Sequence, residues 1–282
     1  MIDLRKLNSA TKYPSIETYH KIIPGGGRGG TRLEEEVPVL FNDPDTEILV
    51  TEKINGTNGR IIITDQIPLV DDVGDLIFKH YDRWYLIGSR EELLTAHRDL
   101  IPNDTYGIVT ALRPIAEKIV QQARLGDSST SGDIVVGFFE VYGKGLPEAR
   151  QYTNVGALDA MLFDAAFVPV SILDKPIEEI SHWRDNGGQK FVTKMNLDEF
   201  LKDMGKQYGI KPVPFRLGLT NHPIPTGIPE TFEWMQQFRE SKANLGGGLG
   251  QAEGIVIRTP DRKKIAKLRF EDYEKTLGIR RR

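Results

Sequence analysis

The sequence of 282 residues contains no cysteine, which excludes disulfides, thiolate metal sites and cysteine nucleophiles. Its five histidines are scattered, with no pair at the spacing of metal ligands. No hydrophobic run approaches the roughly 18 residues of a membrane span, and Met1 precedes a charged segment in place of a signal-peptide core. These absences predict an intracellular protein that is not inserted in a membrane.

The net charge gives no sign of a nucleic-acid partner, because the formal value is only -3. Basic residues are instead concentrated at one end, where Arg258 to Arg282 holds ten Lys or Arg against four Asp or Glu. Such a strip is either a solvated charged end or a surface that binds phosphate. Composition alone leaves both interpretations open.

The segment Thr51–Arg60 is the most informative part of the chain. It lies between the apolar runs Ile48–Val50 and Ile61–Ile63, a pattern that predicts a strand, a tight polar turn and a second strand. Lys53 stands at the mouth of this turn, and a desolvated lysine there can act as a nucleophile. The spacing Lys-x-x-Gly is weak evidence alone, because it also occurs at three lysines in polar or terminal segments: Lys202, Lys206 and Lys275.

Short strands alternate irregularly with helices in the rest of the chain, which predicts an α+β fold. Periodicity predicts the following elements: strands near 75–80 and 84–88, a helix at Ile108–Arg124, a strand at Ile134–Tyr142, a helix-to-strand passage at Leu158–Val170, helices near Leu197–Met204 and Pro229–Lys242, and strands at 253–257 and 265–269 before a short charged helix.

The sequence contains two glycine-rich stretches. Residues 25–30 lack the Gly-Lys-Ser/Thr ending of a P-loop, so a plain loop is favoured over a phosphate-binding one. Residues 246–250 lead into the strand predicted at 253–257. The polar stretch Asp127–Gly132 is predicted to be a connection between elements.

Charged residues interrupt four strands where the pattern calls for apolar residues: Lys53, Glu140, Glu253, and Lys267 with Arg269. Because burying a lone charge is costly, such groups are paired, face a ligand or lie at strand ends. One interpretation is that they form structural salt bridges with each other. The other is a shared cleft for nucleotidyl transfer, in which cations neutralise phosphate, carboxylates hold a ribose and a divalent metal, and the lysine attacks phosphorus.

At these positions the sequence resembles the covalent nucleotidyltransferases, the superfamily of ATP-dependent DNA and RNA ligases and mRNA capping enzymes. The nucleophile motif of that superfamily is matched by Lys53–Asn58. Further motifs follow in the family's order between Glu52 and Arg269: Gly88-Ser89-Arg90, Phe138–Gly143, Leu162-Phe163-Asp164, Glu253–Ile257 and Lys267-Leu268-Arg269. The resemblance implies an α+β nucleotidyltransferase domain, ATP-grasp-like, with mainly antiparallel sheets flanked by helices.

The resemblance also implies roles for residues that contact the nucleotide. Lys53 would become linked to AMP through its amine, and Glu52 would recognise the adenine amino group. Arg90 and Glu140 would hold the ribose and orient the nucleotide. Phe163 would stack on the adenine.

The remaining roles concern metal, phosphate and RNA. Glu253 would help to place a Mg²⁺ or Mn²⁺ ion, and Lys267 would contact the α-phosphate. Arg269 stands where the family usually has a second lysine, which keeps the charge but changes its geometry. Asn58 resembles an asparagine that RNA-joining members use after adenylylation.

Among the family's branches the RNA ligases fit best, because Asn55 replaces the usual aspartate and Thr57-Asn58 follows the glycine. The expected enzyme therefore uses ATP and joins the 5′-phosphate and 3′-hydroxyl ends of RNA in the cytoplasm, or in the host cytoplasm if a phage encodes it. The alternatives are a DNA ligase core, a capping guanylyltransferase and a non-catalytic nucleic-acid-binding protein.

The resemblance also predicts a domain arrangement. Residues 1–45 are expected to form an N-terminal extension packed on the core, and residues 46–282 the adenylation domain with an insertion around 175–245. The sequence stops soon after the last motif, so no C-terminal OB domain is expected. The extra RNA-binding surface would then come from the extension, the insertion, or a partner protein or dimer.

Overall fold

The computed structural model describes residues 2–25, 31–39, 41, 47–65, 68–69, 78–80, 83–94, 104, 106–122, 133–220 and 224–279. Several predicted features lie outside these ranges: residues 26–30 of the first glycine stretch, 75–77 of a predicted strand, 123–124 of a predicted helix, and the connection 127–132.

The strands are β1 (Ile2–Asp3), β2 (Ile22–Pro24), β3 (Thr31–Leu33), β4 (Ile48–Lys53), β5 (Thr57–Thr64), β6 (Pro68–Leu69), β7 (Phe78–His80), β8 (Arg83–Ser89), β9 (Asp133–Gly143), β10 (Leu158–Pro169), β11 (Lys190–Phe191), β12 (Lys211–Pro212), β13 (Phe215–Leu219), β14 (Gly254–Arg258) and β15 (Ile265–Arg269). The helices are α1 (Leu4–Ala10), α2 (Ile108–Gln122), α3 (Ile177–Asp185), α4 (Lys194–Phe200), α5 (Lys206–Tyr208), α6 (Ile228–Met235) and α7 (Phe270–Thr276). No helix among the described residues is long and apolar enough to cross a membrane.

The chain divides into two compact units. Unit 1 comprises residues 1–15, 56–147 and 158–212, and unit 2 comprises residues 16–55, 148–157 and 213–282. The boundary between Asn55 and Gly56 falls within the turn that joins β4 to β5. Nearly all strand pairs are antiparallel, so the prediction of an α+β fold with mainly antiparallel sheets is confirmed.

Unit 1 is built on a seven-stranded sheet with a core on each face. Its strand order is β11-β10-β9-β5-β8-β7, with β12 paired to β10. Because side chains alternate along a strand, Ile61 and Ile63 of β5 enter the core containing α2, whereas Ile62 enters the core containing α1 and α3. This two-sided burial explains the continuous apolar run after the central turn.

The helix predicted at Ile108–Arg124 is confirmed as α2 over its described part, and Pro114 lies within it. The prediction for Leu158–Val170 is wrong in its helical half, because β10 is one continuous strand from Leu158 to Pro169. Its leucine, methionine and alanine residues favour helix locally. Pairing with β9 along the whole length of the strand overrides that preference.

The region 175–245 contains more regular structure than the two predicted helices. The first is α4, which continues as a π-helical turn at Leu201–Gly205. The second begins at Ile228 and ends in a 3₁₀ turn at Gln236–Phe238, before the predicted end at Lys242. The short elements α3, β11, β12 and β13 were not predicted.

Unit 2 contains a four-stranded antiparallel sheet in the order β13-β4-β14-β15. One face of this sheet packs in a core with α6 and α7, to which β4 contributes Ile48 and Val50. The alternate residues of the same strands occupy the opposite face. The β14 and β15 strands therefore continue the sheet that holds the nucleophile motif.

His20 is a buried polar residue in the core of unit 2. Its Nε2 lies 2.7 Å from the carbonyl oxygen of Thr226, and its Nδ1 lies 2.7 Å from the hydroxyl of Tyr273. A carbonyl only accepts, so Nε2 carries the proton and Nδ1 accepts from Tyr273 in the neutral ring. Burial lowers the pKa of His20 below its ordinary value, against the opposing effects of the Thr226 hydrogen bond and the charge of Glu35.

This lowered pKa predicts acid sensitivity. Below pH 6.5, the ordinary pKa of histidine, the unfolded chain binds a proton at His20 that the folded chain binds less readily. The free energy of unfolding should therefore fall as the pH falls through this range. We expect His20→Gln to reduce that slope in urea unfolding measured at a series of pH values. His182→Gln is the control, because His182 is exposed. Equal slopes in the two variants would contradict the assignment of the acid sensitivity to His20.

Candidate functional site

Lys53 lies on the face of the unit 2 sheet opposite the helical core. In the antiparallel register Gly254 is directly opposite both Lys53 and Arg269, and Val256 is opposite Thr51 and Lys267. Directly opposed residues share a face. The fold therefore brings Lys53, Lys267 and Arg269 to one surface of a single sheet, although they are far apart in sequence.

The amine of Lys53 forms an ion pair with Glu253. Lys53 Nζ lies 2.5 Å from Glu253 Oε2, and the two side chains are 24% and 18% exposed. Glu253 is the residue immediately before β14, and its carbonyl oxygen accepts a hydrogen bond from the Phe270 N–H at 3.0 Å. A partly buried lysine held by one carboxylate can still be reached by a ligand.

Gly254 lets the strands beside this ion pair approach closely. A Cβ atom at this position would lie 1.9 Å from the carbonyl oxygen of Leu268 and 2.9 Å from Cα of Arg269. Both of these are backbone atoms, which cannot move aside as a flexible side chain could. The absence of a side chain at residue 254 is therefore required by the packing of β14 against β15.

Both cations of the last motif belong to β15. Lys267 is half-buried, and its backbone pairs with the segment around Thr18 through bonds to Glu17 and Tyr19. The guanidinium of Arg269 binds both carboxylate oxygens of Asp272 at 2.7 and 3.1 Å. Burial lowers the pKa of Arg269, but the bond and charge of Asp272 outweigh it, so the pKa is raised overall. Arg269 is thus engaged with α7.

Glu52 lies on the opposite face from Lys53 and is completely buried. Its Oε1 accepts from the Ser241 hydroxyl, and its Oε2 accepts from the Lys242 N–H and from Arg216. The sequence had indicated neither Arg216 nor Ser241, because no periodicity or motif marks these positions. The predicted recognition of adenine by Glu52 remains a prediction.

Tyr152 supports the turn that follows Lys53. Its hydroxyl accepts a hydrogen bond from the Asn55 N–H at 2.6 Å, and its carbonyl accepts one from the Leu245 N–H at 2.6 Å. The Tyr152 side chain is fully buried. One residue therefore links the nucleophile turn to the segment containing the second glycine stretch, a role that the sequence had not indicated.

Tyr152→Phe should release the Asn55 amide. Because the variant removes only the accepting hydroxyl, we expect a loss of about 1 kcal/mol in the free energy of unfolding. Amide hydrogen exchange should become faster at Asn55. The control is Tyr85→Phe, which removes the hydroxyl of a buried tyrosine in unit 1. It should leave exchange at Asn55 unchanged. Unaltered exchange at Asn55 in Tyr152→Phe would show that the hydrogen bond is unimportant.

Two of the predicted nucleotide residues are neighbours in unit 1. Asn58 of β5 lies directly opposite Glu140 of β9, and the Gly56 N–H donates to Glu140 Oε1 at 3.1 Å. Asn58 Oδ1 is buried and has no hydrogen-bond partner among the described residues. The start of β5 therefore carries a buried acceptor atom that no described residue satisfies, at the strand position opposite Glu140.

Arg90 and Phe163 lie in different surroundings. Arg90 follows β8, whose last residue Ser89 pairs with Gly59, so it is at the same end of the sheet as Asn58. Its side chain is 63% exposed and faces Glu91 at 3.6 Å. Phe163 is half-buried and packs in an aromatic cluster, with its ring centroid 5.0 Å from that of Tyr13 and 6.4 Å from that of Phe138.

The donor set around Lys53 fits one kind of metal ion. Among the residues that the structure describes, no group of three or more His, Cys, Asp or Glu could hold a metal. Mg²⁺ is commonly held by one or two carboxylates together with substrate phosphates and water. Glu253 therefore suits an ion that arrives with a nucleotide, and not one held in a cage of protein ligands.

The described helices and mainly antiparallel sheets form a fold of the α+β class. A family model described as RNA ligase matches residues 46–269, well over half of the chain. The protein therefore belongs to the RNA ligase family. No curated protein sequence matches it.

Solved structures of an RNA ligase share this fold. Two point variants of the Naegleria gruberi RNA ligase with ATP and Mn align with TM-scores of 0.52 and 0.51, each at 14% sequence identity. The alignments cover 95% and 96% of this chain but only 64% and 62% of those chains. The protein thus spans less than two thirds of the length of these ligases.

Proposed function

We propose that the protein is an ATP-dependent RNA ligase that acts through a covalent lysyl-AMP intermediate. The observation that carries the proposal is the Lys53–Glu253 pair on the sheet face that also bears Lys267. Membership of the RNA ligase family supports it. So does the presence of ATP and Mn in the two Naegleria gruberi ligase structures.

In the proposed first step the Lys53 amine attacks the α-phosphorus of ATP. A nitrogen–phosphorus bond forms, the bond from the α-phosphorus to the bridging oxygen breaks, and pyrophosphate leaves. Glu253 Oε2 is 2.5 Å from Nζ, so it is positioned to accept the proton that the amine must lose. Lys267, on the same face, supplies positive charge for the phosphate oxygens.

Two further steps complete the proposed reaction. An oxygen of the RNA 5′-phosphate attacks the phosphorus of lysyl-AMP, and the nitrogen–phosphorus bond breaks. The Lys53 amine takes back the proton from Glu253 as it leaves, and AMP remains on the RNA end. The 3′-hydroxyl then attacks the 5′-phosphorus, a phosphodiester forms and AMP departs. A bound Mg²⁺ or Mn²⁺ would neutralise phosphate charge in these steps, with Glu253 as its protein ligand.

The remaining roles are proposed from the resemblance. Arg90 and Glu140 bind the ribose, and Phe163 contacts the base. Asn58 acts after adenylylation, in the steps on RNA. Its buried unsatisfied Oδ1 supports a role as an acceptor. Asn58→Ala would then spare the AMP adduct and slow sealing.

Labelled ATP provides the test. With magnesium, label in the α-phosphate should stay with the protein and label in the γ-phosphate should not. Adding RNA with 5′-phosphate and 3′-hydroxyl ends should discharge the adduct and yield joined product. An adduct formed from GTP would instead indicate a capping enzyme, and sealing of nicked DNA alone a DNA ligase. RNA binding that is salt-dependent but insensitive to ATP, with no adduct, would indicate a non-catalytic protein.

A further inference from the structure

Strand geometry separates Glu52 from the face that carries Lys53. Alternate residues of β4 point to opposite faces, and Glu52 is opposite Ile255, which is opposite Leu268. Both of these residues belong to the core of unit 2. The Glu52 side chain accordingly has 0% exposure. A carboxylate in this position is held by the protein and does not line an open surface.

The contacts of Glu52 nearly fill its hydrogen-bonding capacity. Ser241 Oγ donates to Oε1 at 2.5 Å, while the Lys242 N–H and Arg216 Nη1 donate to Oε2 at 2.8 and 3.1 Å. A carboxylate offers about four acceptor positions, so three are already occupied. The Arg216 side chain is 5% exposed. Removing either partner of a buried ion pair of this kind strongly destabilises the protein, because the other charge is left buried without compensation.

These contacts connect Glu52 to the segment that precedes Glu253, the partner of Lys53 in the ion pair. Arg216 Nη1 also donates to the carbonyl oxygen of Glu240 at 2.6 Å. From there the chain forms a short ladder, with Ser241 N–H donating to Gly250 and Ala252 N–H donating to Arg239 at 2.6 and 3.0 Å. The residue after Ala252 is Glu253.

The latch, which we define as Glu52, Arg216, Ser241 and the backbone of Lys242, therefore ties two segments together. One segment is the end of β4, where Lys53 follows Glu52 directly. The other is the ladder that ends at Glu253. Lys53 directly follows Glu52, and Glu253 directly follows the ladder that begins at the latch. The distance between the Lys53 amine and the Glu253 carboxylate therefore depends on the latch.

We propose that Arg216 and Glu52 are positioning residues that set the geometry of Lys53 against Glu253, and that the Glu52 carboxylate does not read the base. The inference rests on the proposed function, because its consequence is measured in adenylylation. It assigns to Arg216 a role that the sequence did not indicate. It also replaces the recognition of the adenine amino group that the resemblance implies for Glu52.

The test measures the adenylylation rate constant, the KM for ATP, and the ratio of ATP to GTP labelling. Because misplacement of a reacting group by about 1 Å can cost 100-fold in rate, we expect Arg216→Met and Glu52→Gln to slow adenylylation by about 10- to 100-fold. The KM and the nucleotide ratio should stay near the wild-type values. Arg216→Lys, which keeps the charge, should recover part of the rate.

Two further variants serve as comparisons. Ser241→Ala removes one hydrogen bond and leaves the ion pair, so it should slow the rate less and provides a result if Arg216→Met does not fold. Arg113→Met removes the cation of another Arg–Glu pair, formed with Glu117 in unit 1. It should leave the adenylylation rate unchanged.

The outcomes separate the two proposals. If wild-type protein forms no adduct, the proposed function is contradicted, and the proposal that the latch positions Lys53 is contradicted with it. If the wild type forms an adduct but Glu52→Gln shifts labelling toward GTP, the carboxylate reads the base and the latch proposal alone is overturned. Wild-type rates in both Arg216→Met and Ser241→Ala would equally overturn it.

Discussion

Lys53→Ala is expected to abolish the AMP adduct, with a loss of at least about 1,000-fold in the rate of label incorporation. The reason is chemical, since alanine has no nucleophile to attack the α-phosphorus. The variant also leaves Glu253 without its partner at 2.5 Å. Gel analysis after incubation with α-labelled ATP and magnesium measures the effect directly.

Two variants sharpen this result. Lys53→Arg keeps a cation beside Glu253 but removes the amine that can be deprotonated, so it should be as inactive as the alanine variant. Lys21→Ala removes an exposed lysine of unit 2 that pairs with Glu36, and it should label like the wild type. An adduct of normal yield on Lys53→Ala would show that another residue is the nucleophile.

Gly254→Ala should strongly destabilise the four-stranded sheet of unit 2. The new Cβ would meet the carbonyl oxygen of Leu268 at 1.9 Å, so β14 and β15 must separate. We expect a loss of about 3 kcal/mol or more in the free energy of unfolding. Because Gly254 adjoins Glu253 and opposes Lys53, adduct formation should fall by about 100-fold in protein that remains folded.

Gly218→Ala is the matched control for this substitution. Gly218 belongs to β13 of the same sheet, and its added Cβ would make only ordinary contacts, at 3.4 Å to Glu47 and 3.6 Å to Phe215. Its stability should change by less than about 1 kcal/mol, and its labelling should be normal. Equal tolerance of alanine at residues 218 and 254 would contradict the close packing described for β14.

Local sequence patterns predicted the elements around the nucleophile well. The turn between β4 and β5 is marked by apolar runs on both sides, and β9, β14 and β15 follow from β-branched and aromatic content. The α1 helix was missed, because its capping residue Asp3 precedes only a short run with little periodicity. In β10, by contrast, local helix preference was misleading because long-range pairing decided the structure.

The candidate site was predictable only in part, for a physical reason. Lys53, Glu253 and Lys267 could be selected as candidates because charges that interrupt apolar strands are unusual. Arg216 could not, because nothing in the sequence specifies that it meets Glu52, which is 164 residues away. The same holds for Tyr152 and its bond to Asn55, 97 residues apart. Such contacts follow from how distant segments pack in the folded chain, which the sequence does not display.

The most direct measurement is to locate the AMP by mass spectrometry of peptides from protein incubated with ATP and magnesium. The central claim is that Lys53 is the amine that attacks phosphorus. It predicts one acid-labile AMP on the peptide that contains Lys53, lost in Lys53→Ala. AMP found on a different lysine, or no modified peptide under conditions that support RNA joining, would contradict the claim.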